Sequence, residues 1–369
     1  MGVVSTSTTD TGSSPVHPAG DAAGPPAGTG AGSVWLRRVL MVNLVAQSLI
    51  ILTGGTVRVT GSGLGCPTWP QCVPGSYVPV LEQAEGFHKW IEFGNRLLTF
   101  VVALTAIAAL LALRRWAPHR RQLRPWAWLV IAGVVAQAVV GGVTVLTGLH
   151  PVTVSFHFLA SLVLVAASAV LVGREREGDG PPRPVVPPLV QRLGWVTAAV
   201  GAVVMVLGTV VTGSGPHSGD AEAPARYPFD PRTISWLHAD AVMLFVGLAV
   251  GMVVLASVVH RPVARAAALT GPRPVTGHEP APERTRTAWA VVLLVTAAQG
   301  VLGYVQYLTG LPEVLVVAHM AGATALTIAL VFGVLALRER APAAALTPAS
   351  EAEGPGRRSG GAEDPSSTV

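Results

Sequence analysis

Long apolar runs separated by short polar connections dominate this chain. Eight of them reach span length, near residues 35–55, 93–113, 126–146, 153–173, 192–212, 235–257, 288–307 and 313–335. A bilayer core takes about 20 consecutive apolar residues per helix. Backbone groups in lipid must bond within the protein, which a helix achieves inside one segment. The strict alternation of a barrel strand is absent. The pattern therefore predicts an all-α polytopic membrane protein with eight transmembrane helices. Composition agrees, with 50% hydrophobic and 12% charged residues where a soluble chain carries roughly a quarter charged. Mean hydropathy is +0.53.

Part of the pattern occurs twice. Residues 136–157 align without a gap on 298–319, a shift of 162 positions with 12 of 22 residues identical. Gln137, Gly141, Leu146-Thr147-Gly148-Leu149 and His157 recur as Gln299, Gly303, Leu308-Thr309-Gly310-Leu311 and His319. Thr60-Gly61-Ser62-Gly63 recurs as Thr212-Gly213-Ser214-Gly215. Spans one to four thus correspond to five to eight, and an even number of spans per copy makes the repeats parallel. The expected architecture is two pseudo-twofold-related four-helix bundles. The N-terminal one covers 34–173 and the C-terminal one 191–338, joined by a linker at 174–190. Residues 1–33 and 339–369, rich in small and polar residues, read as disordered tails. No cleavable signal peptide is evident, because the first apolar run follows a long polar stretch.

Arginines set the expected orientation. Arg114, Arg115, Arg120, Arg121 and Arg124 lie between spans two and three. Arg261, Arg265, Arg273, Arg284 and Arg286 lie between six and seven, whereas the links 147–152 and 308–312 have neither Lys nor Arg. Both termini are therefore expected in the cytoplasm, with the protein multi-pass in the cell membrane. The pI near 9.9 is then a topology signal, and nucleic acid is not an expected partner.

Candidate chemistry gathers at the outer ends of the even-numbered spans. Their opening turns hold Asn95, His157, His238 and His319. Imidazole in an apolar helix is costly unless paired or liganded, and neutral histidine is a common axial ligand of heme iron. His238 and His319 form a matched pair that can grip a porphyrin from both faces. In the first half His157 faces Asn95 instead, a poor iron ligand. His88, His150 or an open face are the alternatives for completing that site. Glu92 lies one turn before Asn95 with Arg96 adjoining, and it reads as a proton-handling group or as a surface carboxylate. Its counterpart in the second half is Ser235. Asp240, with Arg232 as partner, is a candidate buried acid. Arg58 suits a porphyrin propionate or an interface between the halves. Gln137 and Gln299 suit hydrogen bonds between helices. Cys66 and Cys72, in GCPTWPQCVPG, favour a disulfide closing a small external loop, with free thiols or a transient redox or heme-handling role as alternatives.

GGTVRVTGSGLGCPTWPQC, then IEFGNR, then LTG with His157, and finally His238 and His319 resemble the CtaA/Cox15 family of heme A synthases across all eight spans. The resemblance implies oxidation of the C8 methyl of heme O to a formyl group by two hydroxylations and loss of water. It implies a heme b cofactor held by His238 and His319, substrate heme on His157, Glu92 as catalytic carboxylate, and Cys66–Cys72 as a disulfide. Expected partners are heme O, heme O synthase and cytochrome oxidase assembly factors, an electron-transfer partner and membrane lipid. The departure is Asn95, where many members have histidine, leaving His88 or water to complete the substrate site. Rival readings are a di-heme electron-transfer subunit, which would need two equivalent bis-histidine sites, and a heme-binding transporter, which would need a polar path through the bilayer.

Overall fold

The computed structural model describes residues 1–2, 31–178, 180–220, 222, 224–270 and 281–340, without side chains at 31, 259–270 and 281–282. Most of the two tails, Arg273, and the side chains of Arg261 and Arg265 lie outside the described residues. The chain forms α1 (Ala31–Val59), α2 (His88–Trp116), α3 (Arg124–Leu146), α4 (Pro151–Glu175), α5 (Pro188–Ser214), α6 (Pro231–Thr270), α7 (Ala281–Leu308) and α8 (Glu313–Leu335). All eight are long and apolar enough to cross a membrane, and each predicted span lies inside one of them. This is a multi-pass membrane protein.

Local chemistry marks where the helices begin. Proline occupies the first turn of α3, α4 and α5, where its missing N–H costs nothing. Asp230 caps α6: its Oδ2 accepts from the Thr233 amide at 2.8 Å and the Thr233 hydroxyl at 2.7 Å. Those bonds hold the exposed Asp230 carboxyl below its usual range. The copied LTGL turns close alike. Leu149 N–H donates to Thr144 O and Leu311 N–H to Gln306 O, both at 2.8 Å. This is the six-to-one bond of a Schellman motif. Leu149 (φ 55°) and Leu311 (φ 63°) both take the left-handed conformation.

Neighbouring helices pack in the order α1–α2–α3–α4 with α1 against α4, and α5–α6–α7–α8 with α5 against α8. Across the halves, α8 packs on α1 and α4, and α4 on α5. Leu44, Ile51, Leu162 and Val165 form a core there, joined by Met205, Met320 and Ile328 from the second half. Asn43 Nδ2 donates to Ser168 Oγ at 3.0 Å inside the first half. Large apolar side chains such as Leu104, Leu111, Val135, Leu294 and Val301 are exposed. In lipid that is the stable arrangement, because association rests on packing and hydrogen bonds instead of on water exclusion.

One element has no counterpart in the hydropathy pattern. Pro182–Pro184 (β1) pairs antiparallel with Arg338–Arg340 (β2), tying the linker to the end of α8. Order therefore extends to Glu339 and Arg340, and at the other end α1 begins at Ala31.

Candidate functional site

The three histidines of the even-numbered spans share one local environment. His157, His238 and His319 are each partly buried, and the Nδ1 of each is buried without a hydrogen-bond partner. The backbone of Val204 in α5 lies near the His238 ring. Beside each ring a neighbouring helix carries glycine. A Cβ added at Gly141, Gly208 or Gly303 would stand 3.5, 3.3 or 3.4 Å from Cε1 of His157, His238 or His319 respectively. The carbonyls of His157 and His319 each accept from a glutamine amide, Gln137 at 2.7 Å and Gln299 at 2.9 Å.

The halves then diverge. His238 of α6 and His319 of α8 lie in the same half, each ring beside a glycine of a neighbouring helix. In the first half the place of His238 is taken by Asn95, whose Oδ1 accepts from the Thr53 hydroxyl of α1 at 2.7 Å. His88 sits at the start of α2, exposed, with Nδ1 at 2.8 Å from Ser62 Oγ. His150 caps α4, its Nδ1 accepting from the Val152 amide at 3.4 Å. His88 opens α2 and His150 precedes the first residue of α4.

Glu92 is 5% exposed and fully engaged. Oε2 accepts from the Cys66 amide at 2.7 Å, and Oε1 accepts from Arg96 Nε at 3.0 Å and Nη2 at 2.6 Å. Arg96 also donates to the carbonyls of Cys66 at 2.7 Å, Thr68 at 3.0 Å and Gln71 at 3.3 Å. Cys66 and Cys72 are joined as a disulfide. The ion pair on α2 therefore fastens the disulfide loop to the N-terminal part of α2. That loop is seated tightly: a Cβ at Gly65 would overlap the His88 carbonyl, and one at Gly142 of α3 would overlap the Trp69 ring. Lys89, buried, donates to the Val80 and Leu81 carbonyls at 2.6 and 2.9 Å.

Arg58 lies between the halves. Its Nε donates to the His217 carbonyl at 2.6 Å and Nη2 to that of Thr212 at 3.2 Å. Nearby, Gly63 N–H bonds the Gly219 carbonyl at 2.9 Å, and Tyr227 donates to Ser155 Oγ at 3.2 Å. Of the two readings of Arg58, these bonds favour the interface. Asp240 corrects an expectation: it is exposed on α6, and Arg232 instead lies over the Trp236 ring at 4.8 Å. A helix only two turns from the surface lets an acid face outward as easily as inward. Ser235, opposite Glu92 in the repeat, merely bonds back to the Pro231 carbonyl at 2.6 Å.

The structure thus brings Glu92 and the start of α2 at His88 to the cysteine loop, and leaves Arg58 and Asp240 outside that grouping. Thr53, Gly208 and the reach of Arg96 into the loop escaped sequence reasoning. Gly141 and Gly303 were visible as repeated positions without a role. Among the described residues no group of three or more His, Cys, Asp or Glu side chains stands ready to hold a metal ion. Heme asks for less, because the porphyrin fills four positions and the protein supplies one or two axial ligands. Imidazoles whose Nδ1 atoms make no hydrogen bond fit that demand, because the rings are not tied down by those nitrogens.

Comparisons with known proteins point the same way. A family model described as cytochrome oxidase assembly protein, COX15-CtaA, matches residues 37–331. A heme A synthase of Lysinibacillus sphaericus is 33% identical over 138 residues, 37% of this chain and 44% of that protein. Another, from Geobacillus kaustophilus, is 34% identical over 104 residues, covering 28% and 31%. A third, from Symbiobacterium thermophilum, is 28% identical over 202 residues, covering 52% and 63%. The chain spans under two thirds of the length of each.

Proposed function

The chain belongs to the COX15-CtaA family of cytochrome oxidase assembly proteins, and from that premise we propose that it is a heme A synthase. In this reading it oxidises the C8 methyl of heme O to a formyl group through two hydroxylations and loss of water. The methyl carbon loses four electrons overall: with water as the oxygen source an electron-transfer partner accepts them, and with dioxygen as the source such a partner supplies the electrons that reduce it. Heme O synthase and the cytochrome oxidase assembly machinery stand before and after it. The protein sits in the cell membrane with both termini cytoplasmic, as two pseudo-twofold four-helix bundles of unlike duty.

His238 and His319 hold heme b, which supplies one-electron redox chemistry when bound. His157 binds the substrate porphyrin. Asn95, kept by Thr53, leaves the opposite side of that site without a second histidine. Glu92 holds or moves a proton at its carboxylate, Arg96 and the Cys66 amide fix that carboxylate in place, and the disulfide loop excludes water from the outer end.

The observation that carries this reading is the asymmetry inside the repeat. The half that holds His319 has a second histidine, His238, on α6, while the matching place on α2 in the half that holds His157 is Asn95, bonded to Thr53. Two equivalent electron-transfer hemes would not call for that difference. The test is expression in cells that make heme O but not heme A, followed by extraction and chromatography of the hemes. Heme A or its hydroxylated precursor is expected. Unchanged heme O would reject the proposal.

A further inference from the structure

Helices α3 and α7 each send a glutamine amide to the backbone of the histidine on the next helix. Gln137 Nε2 meets the His157 carbonyl at 2.7 Å and Gln299 Nε2 meets the His319 carbonyl at 2.9 Å. Four residues on, Gly141 and Gly303 lie against the ring edges of those same histidines. Positions i and i+4 share a helix face. Each histidine is therefore held at two points by one helix, its backbone by the amide and its ring beside the glycine.

A histidine carbonyl inside a helix already accepts the bond from the amide four residues on. The glutamine uses the second lone pair, so it is not needed to satisfy the backbone. Metal-binding histidines are usually oriented by a hydrogen bond at the other ring nitrogen. Here the Nδ1 atoms of His157 and His319 are buried without a partner. Ring direction must then come from how the carrying turn is seated, and the glutamine grips that turn at the histidine itself.

We infer that Gln137 and Gln299 are positioning residues that set the ring planes of His157 and His319; the inference rests on reading His319 as a heme ligand. The two grips are built differently. In the first half Ser161 helps: Gln137 Nε2 lies 2.5 Å from its hydroxyl, which itself donates to the His157 carbonyl at 2.9 Å. The corresponding residue in the second half is Ala323. There the amide is admitted by Gly322, where any Cβ would overlap Gln299 Oε1; the first half has Ala160 at that place.

Two substitutions on different helices should therefore have one effect. Gln299→Met removes the donor at nearly constant volume, and Gly322→Ala leaves Gln299 intact but displaces its amide. The full chain, with heme b bound, is examined in lipid nanodiscs by electron paramagnetic resonance and by heme transfer to apomyoglobin. Both variants should shift the largest g value of the low-spin heme in the same direction. Both should lose heme about three to five times faster, as one interhelical hydrogen bond implies. The double variant should shift no further than either single one, and Gln137→Met should leave the heme b signal in place. Should Gln299→Met not assemble, Gly322→Ala carries the same expectation. Lower thermal stability with unmoved g values, or additive shifts, would overturn the inference. Persistence of the heme b signal in His319→Ala would instead overturn the ligand reading beneath it.

Discussion

Replacing Arg96 by leucine should release the disulfide loop from α2 without breaking the disulfide. Arg96 makes two bonds to Glu92 Oε1 and one each to the carbonyls of Cys66, Thr68 and Gln71. Its side chain is 22% exposed and that of Glu92 is 6%. Removing one member of a buried ion pair costs about 3–5 kcal/mol, because the other charge is left unpaired. The partial exposure of Arg96 argues for the low end, about 3 kcal/mol. At 1.36 kcal/mol per tenfold, that makes local opening about 150 times more frequent. The reporter is the Cys66 amide, which donates to Glu92 Oε2 at 2.7 Å. Hydrogen–deuterium exchange of a peptide covering 64–74, in nanodiscs, reads its protection directly. Glu92→Gln keeps an acceptor for that amide and should lose far less protection. If Arg96→Leu leaves the peptide's exchange within about threefold of the parent, the ion pair is not the fastening and the reasoning fails.

Other expectations are more direct. His238→Ala or His319→Ala should abolish stoichiometric heme b, measured as pyridine hemochrome, whereas Glu92→Gln should keep that heme and stop conversion of heme O in extracted pigments. Asn95→His should add a bis-imidazole low-spin signal when heme O is supplied, since Thr53 can fall back on its bond to the Ile50 carbonyl at 3.1 Å; heme b should not change. Leu311→Gly should raise the thermal midpoint, because a non-glycine residue at φ 63° carries about 1–2 kcal/mol of strain and Leu311 is only partly buried. Gly142→Ala should displace Trp69 from α3, seen as altered tryptophan emission and faster exchange in the same 64–74 peptide.

Much of the scaffold was legible in the residues alone. Lipid demands long apolar runs, so the eight helices were written in hydropathy, and the copied LTGL turn with its histidine was visible at a shift of 162 positions. The pattern placed Asn95, His157, His238 and His319 near the starts of α2, α4, α6 and α8, where they stand. The polar contacts were not legible to the same degree. Arg96 was seen beside Glu92, but its reach to three loop carbonyls depends on how a glycine-rich loop lies down. Asp240 was expected inside and is outside, because helix periodicity near a membrane surface leaves both faces open to an acid. Arg58 spans 159 positions to the His217 carbonyl, and β1 meets β2 across a similar separation. Such pairings have no period to betray them.

What the amino-acid order determined by itself was the number of helices, the duplication and the residues that differ within it. What only the tertiary structure decided was which of those residues touch: asparagine bonded to threonine in the first half, a glutamine amide on the backbone of each copied histidine, and a carboxylate clamped to the cysteine loop. The physical reason is range. Hydrophobic patterning acts within a segment, whereas a hydrogen bond between segments exists only once both backbones have been brought to within about 3 Å.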